Sequence, residues 1–359
     1  MKLWKLFGSL ILIGVASLAV GACAESTDVP QSDSIRVVEA QSDQEPDVVR
    51  VQLDWLPNTN HTGIYVAIAQ GWYEEEGIEI EILPYSGAAG EILLDQEVAD
   101  VAFSFPTYLP LFRAQGLDIV SIAAVLQTNP TEVAVLADGP IERPRDLDGQ
   151  TYGGFGGPAE QPQWEWVVRA DGGKGDISGV ILDTAAYEAL YEGRVQAVEP
   201  FVTWEGIEAR QRGIELRTWK YTDFGIPDYP GVVLVAARGL VDSDPELLTR
   251  FLAATIKGYE YAVSEPNEAA QMMIDIAGED VFPNLELVFE SARLLAAQYY
   301  VDPEGRWGSQ TLEHWEGYTE WLFEHGLLLD VDGDPIVDPP DYAAHFTNDL
   351  YEAARASNN

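Results

Sequence analysis

The chain has 359 residues, too many for one minimal domain and about right for two lobes. Hydrophobic residues make up 47% and charged residues 22%, a globular composition that excludes a disordered or collagenous chain. Asp+Glu 60 against Lys+Arg 20 gives a formal charge of -40, which repels phosphate backbones and anionic lipid; neither nucleic-acid binding nor a basic membrane-binding face is expected.

The N-terminus offers another route to a membrane. Lys2 and Lys5 precede an apolar run from Phe7 to Val20 that ends in small residues. The run is shorter than the roughly 20 residues of a spanning helix, so it reads as a secretory signal. Its ending, Val20-Gly21-Ala22-Cys23, resembles a bacterial lipobox, and Cys23 is the only cysteine. The expectation is a signal peptide over residues 1–22, lipidation of Cys23, and a polar tether over 23–48. Cleavage there removes two lysines and no acid, taking the charge from -40 to -42. It leaves no cysteine beyond Cys23 for a disulfide or a thiolate metal site.

Val49 to Trp55 alternates and predicts a strand. A polar loop, Leu56 to Gly63, opens a helix from about Ile64 to Glu75, and Gly77 closes it. Strands follow at Ile78–Leu83, Val98–Phe103 and Ile119–Leu126, with helical stretches at 87–97 and from Pro106. Strand and helix alternate as in a βαβ series. Ligands of such sheets bind off the C-terminal strand ends, which carry Trp55, then Tyr85 within residues 84–87, then Phe105 and Tyr108 within 104–108.

A break at Gly139–Pro144 begins a second unit. Helices are expected at 162–170 and 184–191, and strands at 179–182, 196–201, 215–220 and 232–237. Beyond Asp242 the pattern is helical throughout. A strandless tail must cover a sheet that already exists, most simply the first. The expected architecture is therefore α/β and two-lobed, with lobe 1 over 49–139 plus 238–359 and lobe 2 over 140–237. Two crossover strands, near 137–144 and 224–237, would hinge the lobes around a cleft.

Three motifs carry candidate chemistry. Asp54, Asn58, Asn60 and His61 bracket Trp55 at a strand end; amides and imidazole can read ring nitrogens while the indole stacks. The same residues equally make an Asn-rich helix cap. Tyr152-Gly153-Gly154-Phe155-Gly156-Gly157-Pro158 either lets backbone approach a ligand or makes a tight turn, and it lacks the Gly-Lys-Ser/Thr ending of a phosphate loop. Trp204-Glu205-Gly206-Ile207-Glu208, after Glu199-Pro200-Phe201, sets a carboxylate beside an indole at a helix start. There Glu205 could accept bonds from an amine or simply complement the helix dipole. The four histidines, His61, His314, His325 and His345, have no metal-site spacing, and Asp330–Asp334 lacks the frame of a calcium loop. No metal and no cofactor are expected.

Asp54 to Gly63 followed by Gly71-Trp72-Tyr73, Tyr152 to Gly156, Trp204 to Glu208, Tyr221 to Pro230, Arg306-Trp307-Gly308 and Trp315 to Gly326 together resemble the thiamine-pyrimidine binding proteins. These are solute-binding lipoproteins of ATP-driven importers, related in fold to fungal thiamine-pyrimidine synthase. The resemblance spans nearly the whole mature chain. It implies a type II periplasmic-binding fold, a monomer partnered by a permease on the extracytoplasmic face, and lipid as the sole membrane attachment. It also implies that Trp55 and an opposing aromatic sandwich a pyrimidine while Glu205 or a neighbour holds its amino group. Glu205 itself is expected to be ionised, so that it could take a charge-assisted bond from an exocyclic amine. The candidate ligand-binding residues are Asp54, Trp55, Asn58, His61, Tyr85, Phe105, Tyr108, Gly154, Phe155, Gly156, Trp204, Glu205 and Tyr229. In the synthase branch the histidine matching His61 donates nitrogen, alongside a cysteine-rich segment and a pyridoxal-phosphate lysine. The mature chain has no cysteine beyond Cys23, and its lysines lie outside the strand-end loops. Binding without catalysis is therefore the expectation; the alternatives are a riboflavin or other heterocycle carrier, or a synthase-like enzyme.

Overall fold

The computed structural model describes residues Glu45–Asn358. The signal run, Cys23 and most of the expected tether lie outside the described residues.

Among the described residues, ten strands form two five-stranded sheets. The first contains β1 (Asp47–Gln52), β2 (Ile78–Leu83), β3 (Val101–Ser104), β4 (Ile119–Leu126) and β10 (Val232–Ala237), in the order β2-β1-β3-β10-β4. The second contains β5 (Glu132–Leu136), β6 (Gln150–Gly154), β7 (Ile177–Ile181), β8 (Ala197–Val198) and β9 (Leu216–Lys220), in the order β7-β6-β8-β5-β9. In each sheet the first three strands are parallel. In each, the fourth strand is antiparallel to both neighbours. That fourth strand is where the chain has just crossed from the other lobe. This is the two-lobed type II periplasmic-binding architecture.

The lobe boundaries differ from those expected. β5 pairs with β8 and β9, and β10 pairs with β3 and β4, so each belongs to the lobe opposite the one its position suggested. The crossings lie at 127–131 and 228–231. They run side by side, with Gly231 N–H donating to the Leu126 carbonyl at 3.0 Å. Both strands are apolar runs next to another apolar run, and only pairing assigns them to a sheet. The first strand begins two residues earlier than expected and stops at Gln52, because its register with β2 ends at Leu83. Trp55 therefore stands in the loop beyond it.

The helices of the βα series are α1 (Thr62–Ala69), α2 (Trp72–Glu75), α3 (Gly90–Asp95) and α4 (Leu109–Ala114) in the first lobe. The second lobe has α5 (Glu160–Ala170), α6 (Ala186–Tyr191) and α7 (Glu205–Gln211). The tail is α8 (Arg238–Ser243), α9 (Pro245–Ser264), α10 (Pro266–Ala277), α11 (Leu285–Gln298), α12 (Leu312–Glu324) and α13 (Asp349–Ser357). Leu248, Phe251, Leu252 and Tyr259 of α9 join the core that fills one face of the first sheet, as a strandless tail requires. One helix does more. Trp315 of α12 packs with Leu94 and Val233 of the first lobe, while Tyr318, Trp321 and Leu322 pack with Val133 and Trp164 of the second. Among the described residues no helix is long and apolar enough to cross a membrane.

Candidate functional site

A cleft of about 460 Å³ opens between the two sheets. Its walls come from the C-terminal ends of β1 and β3, the starts of α3, α5 and α7, and the two crossings.

The loop after β1 is held from behind. His61 is fully buried; its Nδ1 accepts the Asn58 backbone N–H at 3.1 Å, so its proton sits on Nε2 and is donated to Asp54 at 2.7 Å. Its ring packs edge-on against Phe103. Asn58 Oδ1 accepts the Asn60 N–H at 2.8 Å, and Asn58 Nδ2 donates to the Leu56 carbonyl. The tail helices fasten the same loop. Tyr259 donates to the Asn60 carbonyl at 2.6 Å, Tyr300 donates to the Thr59 carbonyl, and Thr59 shares a 2.6 Å hydroxyl bond with Ser291.

The aromatic wall is built from both lobes. Trp55 meets Tyr85 at 5.4 Å between centroids and Phe155, across the cleft, at 5.7 Å and nearly perpendicular. Phe105 touches Tyr108 and Phe201. Trp204 packs against Tyr65, Phe282 and Val288 of the first lobe.

Eleven of the thirteen residues singled out from sequence line the cleft: Asp54, Trp55, Asn58, Tyr85, Phe105, Tyr108, Phe155, Gly156, Trp204, Glu205 and Tyr229. Two do not. His61 faces inward and orients Asp54, because both its nitrogens are engaged within the loop. Gly154 lies under the surface, where a Cβ would collide with the Glu160 carboxyl group. Asn58 lines the cleft, but capping consumes its oxygen and one of its amide hydrogens, leaving one N–H to offer.

The ionisation expected of Glu205 is also corrected. It is 8% exposed, and burial raises its carboxyl to about 7, against the opposing bond from the Phe201 N–H at 3.1 Å. The groups sequence reasoning passed over are its neighbours. Glu91 is 1% exposed and accepts from Ser104 Oγ; burial raises it to about 7. Glu199, half-buried, accepts from the Tyr221 hydroxyl; loss of water raises it to about 7, and Glu160 adds to the rise. Glu160 itself is raised by burial, against the pull of backbone N–H donors. Six carboxyls, counting Asp54 and Asp183, thus line the space, with no Lys, Arg or His among the lining residues. Their one signal in sequence was position, since Glu91, Glu160 and Glu205 each lie in the first turn of a helix after a strand-end loop.

A two-lobed cleft with an aromatic wall and a few convergent polar groups has the make-up of a small-molecule site. Residues 58–269 match the family described as NMT1/THI5 like. A formylaminopyrimidine-binding protein of Halalkalibacterium halodurans is 30% identical over 333 residues, 91% of this chain and 96% of that one. The riboflavin-binding protein RibY of Chloroflexus aurantiacus is 24% identical over 302 residues, 80% of this chain and 82% of that one. In fold, the ligand-binding component of an ABC-type import system from Staphylococcus aureus superposes with a TM-score of 0.64 at 16% identity, covering 86% of this chain and 99% of that one. The chain belongs to the NMT1/THI5-like family.

Proposed function

We propose that the chain is the extracytoplasmic binding component of an ABC importer, anchored through Cys23, and that its cleft takes an aminopyrimidine related to the pyrimidine half of thiamine. The observation that carries the reading is the pairing of an aromatic wall with carboxyls and no basic side chain. A flat ring suits Trp55, Tyr85 and Phe155, and a ring bearing amino groups supplies the donors that Asp54, Glu199 and Glu205 need. The formylaminopyrimidine-binding relative and the importer component of the same fold support it. The lipid would keep the domain beside its permease.

A riboflavin ligand is the second reading, favoured by RibY and by a cavity within the usual range of small-molecule sites. Truncating Glu205 separates the two. Glu205→Ala should cost an aminopyrimidine about 0.5–1.5 kcal/mol below pH 7, where the carboxyl is protonated, and about 1.5–3 kcal/mol above it, the scales of a neutral and a charged hydrogen bond. A flavin held mainly by stacking should lose less. Mass spectrometry of the small molecule that co-purifies, with titration of wild type and variant, tests the assignment. A flavin in the purified protein, or an unchanged pyrimidine affinity in the variant, would refute it.

A further inference from the structure

We infer that Glu160 is a specificity residue that fills an anion-binding nest with a carboxylate of the chain itself, so that the cleft accepts an unphosphorylated heterocycle and turns away its phosphate ester. The inference rests on the binding role proposed above and narrows its substrate class.

β6 ends at Gly154, a glycine-rich loop follows, and α5 starts at Glu160. A strand, a glycine loop and a helix N-terminus facing a cleft form the arrangement that cradles phosphate elsewhere, through free backbone N–H groups and the positive helix end. Here those donors are taken. Phe155 N–H donates to the two Glu160 carboxyl oxygens at 3.0 and 3.2 Å, and Gly156 N–H donates to one of them at 2.8 Å. Gly154 keeps room for this, since any side chain there would strike the Glu160 carboxyl group. The backbone and the side chain are therefore fitted to each other.

The surroundings act in the same direction. Gly156, Gly157 and Glu160 all line the cleft, and Glu199 is close enough to interact with Glu160 electrostatically. A phosphate entering here would meet carboxyls, find its amide donors occupied and reach no lining Lys, Arg or His. A neutral or cationic amine meets the opposite conditions.

The test is calorimetry of the full chain with a hydroxymethyl aminopyrimidine and with its phosphate ester, for wild type, Glu160→Ala and Glu160→Gln. In wild type the ester should bind at least roughly 100-fold more weakly than the parent, the scale of like-charge repulsion in an enclosed site. Glu160→Ala should narrow that gap to about tenfold or less by freeing the amide donors. Equal binding of both forms by wild type would overturn the inference. So would an unchanged gap in a Glu160→Ala protein that melts like wild type. If that variant does not fold, Glu160→Gln removes the charge and keeps the shape, and an unchanged gap there overturns it equally. Inorganic phosphate alone provides the arm independent of the heterocycle. A thermal shift with phosphate in Glu160→Ala and none in wild type supports the nest even if no pyrimidine binds, and its absence in both counts against it.

Discussion

Glu91, Glu199 and Glu205 each have a carboxyl that burial raises to about 7. In the unfolded chain a glutamate releases its proton near 4.3. Between those values the folded chain holds more protons than the unfolded one, so stability falls as pH rises. Below the unfolded value both states are protonated, and above the folded value both are ionised, so the loss is confined to the window from about 4.3 to 7. Denaturant titrations across pH should show this decline in the free protein, and Glu205→Gln should make it shallower. An equal slope in the variant would mean that Glu205 does not contribute. Trp55 and its loop were legible because an aromatic among Asp and Asn past a strand end is conspicuous. Among the glutamates only Glu205, beside Trp204, was singled out; Glu91, Glu160 and Glu199 were not. With 60 acidic residues in the chain, a helix-starting glutamate looks like dipole complement and surface, and only tertiary packing reveals that Glu91, Glu199 and Glu205 face one enclosed space.

Among elements, α1 and α9 fit together through two glycines. A Cβ at Gly63 would meet the Tyr259 ring, and one at Gly258 would meet the Gly63 carbonyl. Tyr259 also fastens the Asn60 carbonyl, so this contact sets the loop that carries Trp55. Gly63→Ala should destabilise by about 1–3 kcal/mol, the usual cost of overpacking, and weaken ligand binding with it. Denaturation and titration of the same variant measure both, and wild-type stability would disprove the fit. α7 makes the second connection. Its first residue is Glu205, and its end ties to α11 in the other lobe. Arg210 pairs with Glu290, Gln211 donates to Glu290 at 2.9 Å, and Asn284 donates to Gln211 at 2.8 Å. Replacing Arg210 and Gln211 by Ala together should favour the open form and lower affinity a few-fold, since exposed pairs contribute about 0–1 kcal/mol each. Unchanged affinity would remove the latch from the account. Most strands and helices were legible from period and turn residues. The lobe assignment of β5 and β10 was not, because an apolar run does not name its pairing partner. The dual role of α12 was hidden for a related reason: its apolar residues read as one face, and the two lobes divide that face between them.

For the whole molecule, two adjacent crossings and a cleft walled by both lobes make ligand the bridge that closes them. Trp55 and Phe155 already meet across the opening, and Trp204 of the second lobe rests on helices of the first. Closure of this kind uses residues from each side at once, and in the proposed reading the ligand offers ring faces to the aromatics and donors to the carboxyls together. The two-lobed plan followed from the order of elements, with strands ending two-thirds of the way along. What the cleft holds depends on side chains brought together from eight separate segments, which no spacing within one segment displays. Calorimetric titration of the full chain with a formylated aminopyrimidine, beside riboflavin, tests the central claim most directly. The account predicts saturable one-to-one binding of the pyrimidine and little or no heat from riboflavin. Tight riboflavin binding with no pyrimidine heat would contradict it.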